Sequence, residues 1–469
     1  MANAKRYAII LAAGKGSRMK SRRDDVSKVS FPLLGVPLMA YVMDALDTCS
    51  LEHLITVLGF GGATSSKVAE GRAEIVWQKE QKGSGHAVMM AAPILEGKEG
   101  ETIICCGDTP LLRAETLQNL FEFHEKNQND LTVLTFIAEN PKGYGRIVRE
   151  NGLVKGIIEQ KDLVGEQHQI KEVNAGVYIF DNKVLFDSLK LLKTDNAAGE
   201  YYLTDVIGIF ASKGLKVDGY VAKDPVEMSG INDRVQLAAA AKAMQKRINE
   251  NLMLSGVTIE DPDTAYIGPY VSIAPDTVVK PNTTILGKTT IGLENVIGPN
   301  TYLENVTMGD DGFVICSHVV DSTLGDKVQV GPYARIRGKS VLHDEAHVGN
   351  FMEIKNVDFG AKSKAMHLSY LGDATIGEGT NIGCGTIIAN YDGVNKFHSD
   401  IGNHAFIGSG STLISPVEVE DEAFVAAGST ITDNVEKGAM AIARGRQVNK
   451  PGYAVKLHEK ALGKKKESK

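Results

Sequence analysis

The stretch IGPYVSIAPDTVVKPNTTILGKTTIGLENVIGPNTYL, residues 267–303, places an aliphatic residue at every sixth position: Ile267, Ile273, Val279, Ile285, Ile291, Ile297 and Leu303. The step resumes at Leu324, Val330, Ile336, Leu342, Val348 and Ile354, again at Ile376, Ile382 and Ile388, and last at Ile401, Ile407, Leu413, Val419, Val425 and Ile431. Gly often follows the aliphatic residue, and a small residue often stands three or four places later. A period of six fits neither a helix, at about 3.6, nor a simple strand, at about 2; it suits a triangular coil with about two residues per side or corner. One turn then takes about three hexads, and the aliphatic side chain points inward and stacks on its counterpart one coil away, so no coil is stable alone. An ordinary sandwich with regular turns is the competing reading, and four phased blocks argue against it. The phase slips after Leu303, Ile354 and Ile388 predict inserted residues that loop out from the coil.

Just before this region, DRVQLAAAAKAMQKRINENLML, residues 233–254, is alanine-rich, lacks Gly and Pro, and predicts one long helix linking two domains. Ahead of that helix, YAIILA (Tyr7–Ala12) is a continuous apolar run of the kind buried on both faces of a sheet. Further strands are predicted at Leu54–Leu58, Glu74–Trp77, Thr102–Cys106, Leu131–Ile137 and Val177–Phe180. Helical stretches at Leu38–Leu46 and Ala114–His124 lie between some of them. The pattern predicts an α/β domain with a mostly parallel sheet, whose ligands lie at the carboxyl ends of the strands.

A chain of 469 residues is too long for one core and predicts two or three domains. No apolar run approaches the roughly 18 residues of a membrane span, and Met1–Tyr7 lacks the apolar region of a signal peptide, so the expectation is a soluble cytoplasmic protein without membrane insertion. Five cysteines, with Cys105 and Cys106 adjacent, show no paired zinc spacing and predict reduced, mostly buried thiols. A net charge of −7 argues against nucleic acid as a partner; Lys464, Lys465 and Lys466 make the end basic, and it reads as a frayed, solvated tail.

Chemistry first appears after the first strand. Gly14-x-Gly16 departs from the dinucleotide fingerprint, which needs Gly or Ala where Met19 stands, and no Walker lysine motif follows. The longer run LAAGKGSRMKS, then Lys28 and PLLGVPL, can present backbone amides to phosphate oxygens, with Arg18 and Lys28 to neutralise them. For the glycines alone, an ordinary strand-to-helix turn remains open, as does a turn role for Asp108 after Gly107.

With these residues the chain resembles the sugar-1-phosphate nucleotidyltransferases. From Tyr7 to about Arg444 it resembles the bifunctional bacterial family of N-acetylglucosamine-1-phosphate uridyltransferases and glucosamine-1-phosphate acetyltransferases. The resemblance implies an α/β chain: a Rossmann-like nucleotidyltransferase domain over 1–231, a linker helix over 232–254, a left-handed parallel β-helix of hexapeptide repeats carrying the acetyltransferase over 255–447, and a tail over 448–469. It implies that Leu11, Ala12, Ala13 and Gly14 hold the nucleotide, with Arg18 and Lys28 as catalytic cations on the triphosphate. Gln78, Gln81, Gly83 and Ser84 in QKEQKGSGHA match the segment that reads uracil. Asp108 in CGDTPLL and Asn232 in SGINDR match Mg2+ ligands, and Gly145, Glu159 and Asn174 the sugar site. GEYYLTD, Gly199–Asp205, also resembles this family closely. The implied reaction, attack of a sugar phosphate on the α-phosphorus of UTP, needs alignment and charge stabilisation rather than a nucleophilic side chain.

In the second half the family's functional residues fall at the phase slips, in GNFMEIKNVDFGAKSKAMHLSYLGD (349–373) and ANYDGVNKFHSD (389–400). The resemblance implies Arg337, Lys355, Tyr370, Asn381 and Asn390 on glucosamine-1-phosphate, with Asn390 also at acetyl-CoA beside Cys384, Tyr391, Ser409, Ala427 and Arg444. His367 matches the general base, with Glu353 placed to orient its imidazole. His343, His347, His398 and His404 read as ordinary surface residues. The family implies a homotrimer with the acetyl-transfer site between subunits. Ser27, Val36, Cys106 and Cys384 depart from the family's usual residues, and Arg22–Asp25 lengthens a loop, which leaves sugar and nucleotide preference open. The implied product is UDP-N-acetylglucosamine. Alternatives are a nucleotidyltransferase whose β-helix only assembles or regulates, a non-enzymatic assembly subunit, or the same two activities on another sugar or nucleotide.

Overall fold

The computed structural model describes residues 5–467 apart from Asp24 and Ala197, with side chains as far as Lys464. The chain forms two units, the first running to Asn251 with Tyr266–Tyr270, the second comprising Leu252–Ala265 and the chain from Val271 onward.

In the first unit, β1 (Arg6–Ala12), β2 (His53–Leu58), β3 (Glu74–Trp77), β4 (Glu101–Cys106), β5 (Leu131–Ile137), β6 (Arg146–Glu150), β7 (Leu153–Ile158), β8 (Glu172–Asp181) and β9 (Val217–Val221) build a sheet in the order β9-β5-β8-β4-β1-β2-β3. The β6–β7 hairpin attaches through β8. The pairings of β1 with β2 and β4, of β2 with β3 and of β5 with β9 are parallel, while β8 runs antiparallel to β4, β5 and β6, and β6 to β7; most strands thus share one direction, as the strand pattern predicts. β1 alternates between two cores. Ala8, Ile10 and Ala12 face the layer with Met39, Val42 and Phe121, while Tyr7 and Ile9 face that with Val88, Phe186 and Phe210. The hairpin and β9 escape sequence reading because RIVRE and VDGYV mix charge or glycine into short runs.

The long helix spans Arg234–Leu254 and packs on the first unit rather than standing free as a linker. Ala240 and Met244 join a cluster with Leu33, Leu38, Tyr41, Leu111 and Ile231, Arg234 Nε donates to the Met19 carbonyl at 3.2 Å, and Arg247 Nη1 donates to the Leu111 carbonyl at 2.9 Å.

The second unit is a parallel coil of short strands in which each strand pairs with one a full turn later. Ser272 pairs with Thr290, Val278 with Val296 and Thr284 with Tyr302, each eighteen residues on, or three hexads. Every aliphatic residue of the four hexad blocks is buried. Each lies over its partner, as Ile273 over Ile291 and Ile285 over Leu303, so one coil covers the next.

Two of the three phase slips are not insertions. After Leu303 and after Ile354 the buried series continues through Met308, Val314, Val319 and Leu324, and through Phe359, Ala365, Leu371 and Ile376. Several of those steps are five residues instead of six: the coil cuts a corner, and the strand runs through it. Asn305, Asp321, Asn356 and Asp373 make such cuts with φ between 48° and 55°, a left-handed conformation that Asn and Asp tolerate better than most residues. Pairing then shortens to seventeen residues, as for His347 with Lys364. Only the slip after Ile388 is an insertion. There pairing lengthens to twenty-five, Asn381 with Phe406 and Ile387 with Thr412, and returns to eighteen at Asp400 with Glu418. The end of the chain also departs from expectation. Tyr453–Glu467 is helical, and its side chains are exposed as far as they are described; those of Lys465 and Lys466 lie outside the described residues.

Candidate active sites

β1 ends at Ala12, and the chain turns through Ala13 and Gly14 into a short 3-10 turn, Ser17–Met19. Gly16 takes φ +58°, and a Cβ there would stand 2.6 Å from Cβ of Lys28, so glycine lets the loop close over the lysine stem. The Lys28 ammonium bonds the carboxylate of Asp108 and donates to Asn232 Oδ1 at 3.0 Å; Arg18 Nη2 donates to the same oxygen at 2.8 Å. Four residues from four segments thus converge at the carboxyl ends of β1 and β4, with Lys28 and Asp108 both largely buried. Beside them lies a pocket of about 150 Å³ lined by Lys15, Gly16, Ser17, Arg23, Lys28 and Phe60. The oxygens of Asp108 and Asn232 meet on one cation. Among the described residues no cluster of three His, Cys, Asp or Glu suits a metal ion. A site with few protein oxygens fits Mg2+, which keeps waters and takes its other ligands from phosphates.

Gln78 is buried and donates through Nε2 to the Gly83 carbonyl at 3.0 Å, with His86 Nδ1 at the same distance. Gln81 donates to the Ala13 carbonyl at 3.1 Å and so joins this segment to the glycine loop. GEYYLTD docks on it: Tyr201 N donates to the Lys82 carbonyl, Gly85 N to the Tyr201 carbonyl, both at 2.8 Å, and Leu203 N to Ser84 Oγ at 3.0 Å. Asn174 N donates to the Gly145 carbonyl at 2.9 Å, and Thr204 Oγ1 to Glu159 Oε1 at 3.2 Å. Burial raises the carboxyl of Glu159 above its ordinary range. The expected base residues and Glu159 are therefore linked through GEYYLTD by backbone and side-chain hydrogen bonds, and Gly145 and Asn174 are joined to each other. Among the departures, Ser27 is fully buried in a hydroxyl cluster with Ser30 and Ser65, and Val36 is buried in a short hairpin with Leu33. Burial pushes the Cys106 thiol up to about 12. In the lengthened loop Arg23 pairs with Asp25; Asp24 lies outside the described residues.

In the coil, strands His347–Phe359 and Lys364–Ile376 pair over their whole length, with Asn350 opposite His367, Glu353 opposite Tyr370 and Lys355 opposite Gly372. His367 sits on a strand rather than in a loop. Its Nδ1 lies 3.2 Å from Oδ1 of Asn350. Glu353 does not orient the imidazole: the register sets it three residues away, and its Oε1 accepts from Arg337 Nη2 at 2.7 Å. Coil steps of seventeen, twenty-five and eighteen carry His367 to Cys384, Ser409 and Ala427, so these expected residues line one corner of successive turns; Arg444 lies on the next turn, where pairing shortens to sixteen at Val425 with Ala441, and its guanidinium reaches the same corner. Glycine packing bears this out. A Cβ on Gly383 would meet the Ser409 amide at 2.5 Å, and one on Gly408 the Ala427 amide at 2.4 Å; Arg444 Nη1 donates to the Ala427 carbonyl at 2.6 Å.

On the flat beside this corner, Lys355 Nζ donates to both carboxylate oxygens of Asp373, at 3.0 and 2.9 Å. Asn356 Nδ2 donates to Oδ1 of Asp373 at 2.8 Å, and Asn390, at the root of the inserted loop, bonds Oδ2. Burial pushes the Asp373 carboxyl up, but the three donors outweigh it and hold it below the ordinary range. Gly372 leaves room for neighbours. A Cβ there would stand 2.4 Å from the Tyr370 hydroxyl and 2.9 Å from the Asn390 amide. Lys355, Tyr370 and Asn390 are thereby brought together, with Arg337 opposite Lys355 on the adjoining strand. Asn381 stands in another column, between Lys364 and Phe406, and Tyr391 lies in the loop, its hydroxyl bonded to the Gly393 carbonyl. Of the other histidines, His343 pairs with Asp358 at 2.7 Å and His398 bonds Thr375 at 2.9 Å, which suits a surface role. Sequence reading missed Asn350 and Asp373. The signal for Asp373 is its place seventeen residues from both Asn356 and Asn390.

A family model described as a MobA-like NTP transferase domain matches residues 8–189. The bifunctional protein GlmU of Streptococcus thermophilus is 48% identical over 451 residues, covering 96% of this chain and 97% of its own length. That of Exiguobacterium sp. is 50% identical over 449 residues, covering 96% and 99%. A solved UDP-glucose pyrophosphorylase complexed with UDP-glucose aligns with a TM-score of 0.43 at 19% identity, covering 52% of this chain and 99% of that one.

Proposed function

The chain belongs to the family of bifunctional GlmU proteins, and from that membership we propose how its two units share the work and which residues carry it. The enzyme makes UDP-N-acetylglucosamine. The coil acetylates glucosamine-1-phosphate from acetyl-CoA, and the α/β unit transfers the uridylyl group of UTP to the product, releasing pyrophosphate.

In the α/β unit, Arg18 and Lys28 lie against the triphosphate, and the loop from Leu11 to Gly14 supplies backbone amides. Gln78, Gln81, Gly83 and Ser84 form the wall for the base; Gly145, Glu159 and Asn174 form the wall for the sugar. Asp108 and Asn232 would hold Mg2+, which when bound supplies charge neutralisation at the phosphates. The protein's own share is to aim two anions at each other and to keep Lys28 at the point where negative charge grows.

In the coil, Nδ1–H of His367 donates to Asn350, which leaves the Nε2 lone pair free to take a proton from the sugar amine as it attacks the thioester. Arg337 and Lys355 face the sugar phosphate. Tyr370, Asn381 and Asn390 contact the sugar, and Cys384, Tyr391, Ser409, Ala427 and Arg444 line the path of acetyl-CoA. The observation that most strongly supports this reading is the shared corner of His367, Cys384, Ser409, Ala427 and Arg444, next to the Lys355 cluster. Exposed Tyr333, Phe351 and Leu368 on the coil support a homotrimer, because an apolar ridge of this kind is normally covered. No described helix is long and apolar enough to cross a membrane, and we place the enzyme in the cytoplasm without nucleic-acid partners. The deciding experiment gives the pure protein glucosamine-1-phosphate, acetyl-CoA, UTP and Mg2+ and identifies the sugar nucleotide by mass, with other sugar phosphates and nucleotides in parallel. UDP-N-acetylglucosamine formed in preference to the other combinations is the expected result.

A further inference from the structure

Resting on the acetyl-transfer reading above, we propose that Asp373 is a positioning residue of that site, fixing Lys355 against the sugar phosphate and anchoring the inserted loop through Asn390. The corner geometry alone does not call for an aspartate. Asn305 and Asn356 make the same left-handed cut without a carboxylate, and the equivalent contact between Asn305 and Asp321 is exposed, at 3.0 Å. Asp373 differs in being only 8% exposed and in holding a cation by both oxygens. Burying such a pair contributes little to stability by itself, because desolvation offsets the attraction. Its effect lies in orientation. Lysine has a long flexible stem, and here two of its three donors are committed, which fixes the direction of the third. Gly372, opposite Lys355, has no side chain, and the Tyr370 hydroxyl and the Asn390 amide close in on the space that one would fill. One carboxylate thus sets the cation for the phosphate and the root of the loop that carries Tyr391.

The test is a double-mutant cycle of Asp373→Asn and Lys355→Ala in the full-length protein, read by steady-state acetyl transfer. Asparagine keeps the left-handed corner, as Asn356 shows. We expect Asp373→Asn to raise KM for glucosamine-1-phosphate about tenfold or more with a smaller change in kcat, and to add less than about twofold in the Lys355→Ala background. Uridylyl transfer stays at the wild-type rate. An unchanged KM with only a lowered Tm, or the same KM factor with and without Lys355, overturns the proposal. If Asp373→Asn does not fold, Asp373→Gly, which also accepts the corner, gives the same readout. Failure of the underlying reading is separate: wild-type protein without acetyl transfer would remove the site itself, whereas active wild type with an indifferent Asp373→Asn removes only the positioning role.

Discussion

Oδ1 of Asn350 lies 3.2 Å from Nδ1 of His367, directly opposite it in the parallel register of two adjacent coils. A contact through one ring nitrogen fixes the tautomer and leaves the other as the base. His367→Ala is therefore expected to lower acetyl transfer by about 10²–10⁴-fold and to leave uridylyl transfer from N-acetylglucosamine-1-phosphate intact. Asn350→Ala should lower kcat for acetyl transfer by a smaller factor and shift its pH profile. Separate assays of the two half-reactions read both; loss of uridylyl transfer in either variant would contradict the division of labour.

At the other site the expectation reverses. Asp108→Ala removes an oxygen from the point where Lys28 and Asn232 meet, and should lower Mg2+-dependent pyrophosphate release by about 10²-fold or more while acetyl transfer is untouched. Normal pyrophosphate release by this variant would rule out the metal role.

Gly16→Ala tests the close approach of the loop to Lys28. The left-handed backbone costs an alanine on the order of 1–2 kcal/mol, and its Cβ must displace the lysine stem. A rise of about tenfold in KM for UTP, with little change in KM for the sugar phosphate, is expected from initial-rate measurements.

The coil offers a stability test. Phe359 is fully buried at a cut corner, and Phe359→Ala should cost about 3–5 kcal/mol. Calorimetry should show the coil's transition lowered and acetyl transfer lost on warming before uridylyl transfer.

Far from both sites, Glu101 is pushed up to about 7 by burial first and by Glu125 second, while burial lowers His124 to about 4. Folding thus favours a protonated Glu101, and stability falls as pH rises from its ordinary value of 4.5 to about 7. His124 acts oppositely, its stabilisation being present above 6.5 and lost as pH falls toward 4. Glu101→Gln removes the first effect and keeps the second. Relative to wild type, the variant should gain about 2 kcal/mol between pH 5 and 8 in urea unfolding; an equal difference at both pH values would contradict the buried carboxyl.

The hexad made the coil legible because burial of one residue in six is a property of side chains, and each of Ile267 through Ile431 in the phased blocks lies inside. Corners were less legible. A five-residue step and an insertion both break the phase, and the pairing register tells them apart: it shortens to seventeen at the cut corners and lengthens to twenty-five at the insertion. Residues such as Lys28, Asp108 and His367 could be singled out in the sequence because each motif is local. Asn350 and Asp373 act across coils, at a spacing that becomes visible only once the length of a turn is known. The same holds for Glu353, whose place near His367 in sequence says nothing about which residue the register sets opposite it.

The single insertion after Ile388 changes the repeat from eighteen residues to twenty-five for one turn, and the pairing above and below it remains intact. The scaffold and the loop are therefore independent variables. The loop between Asn390 and His398 can change in length without altering the stacking, and the trunk that carries it keeps its gauge.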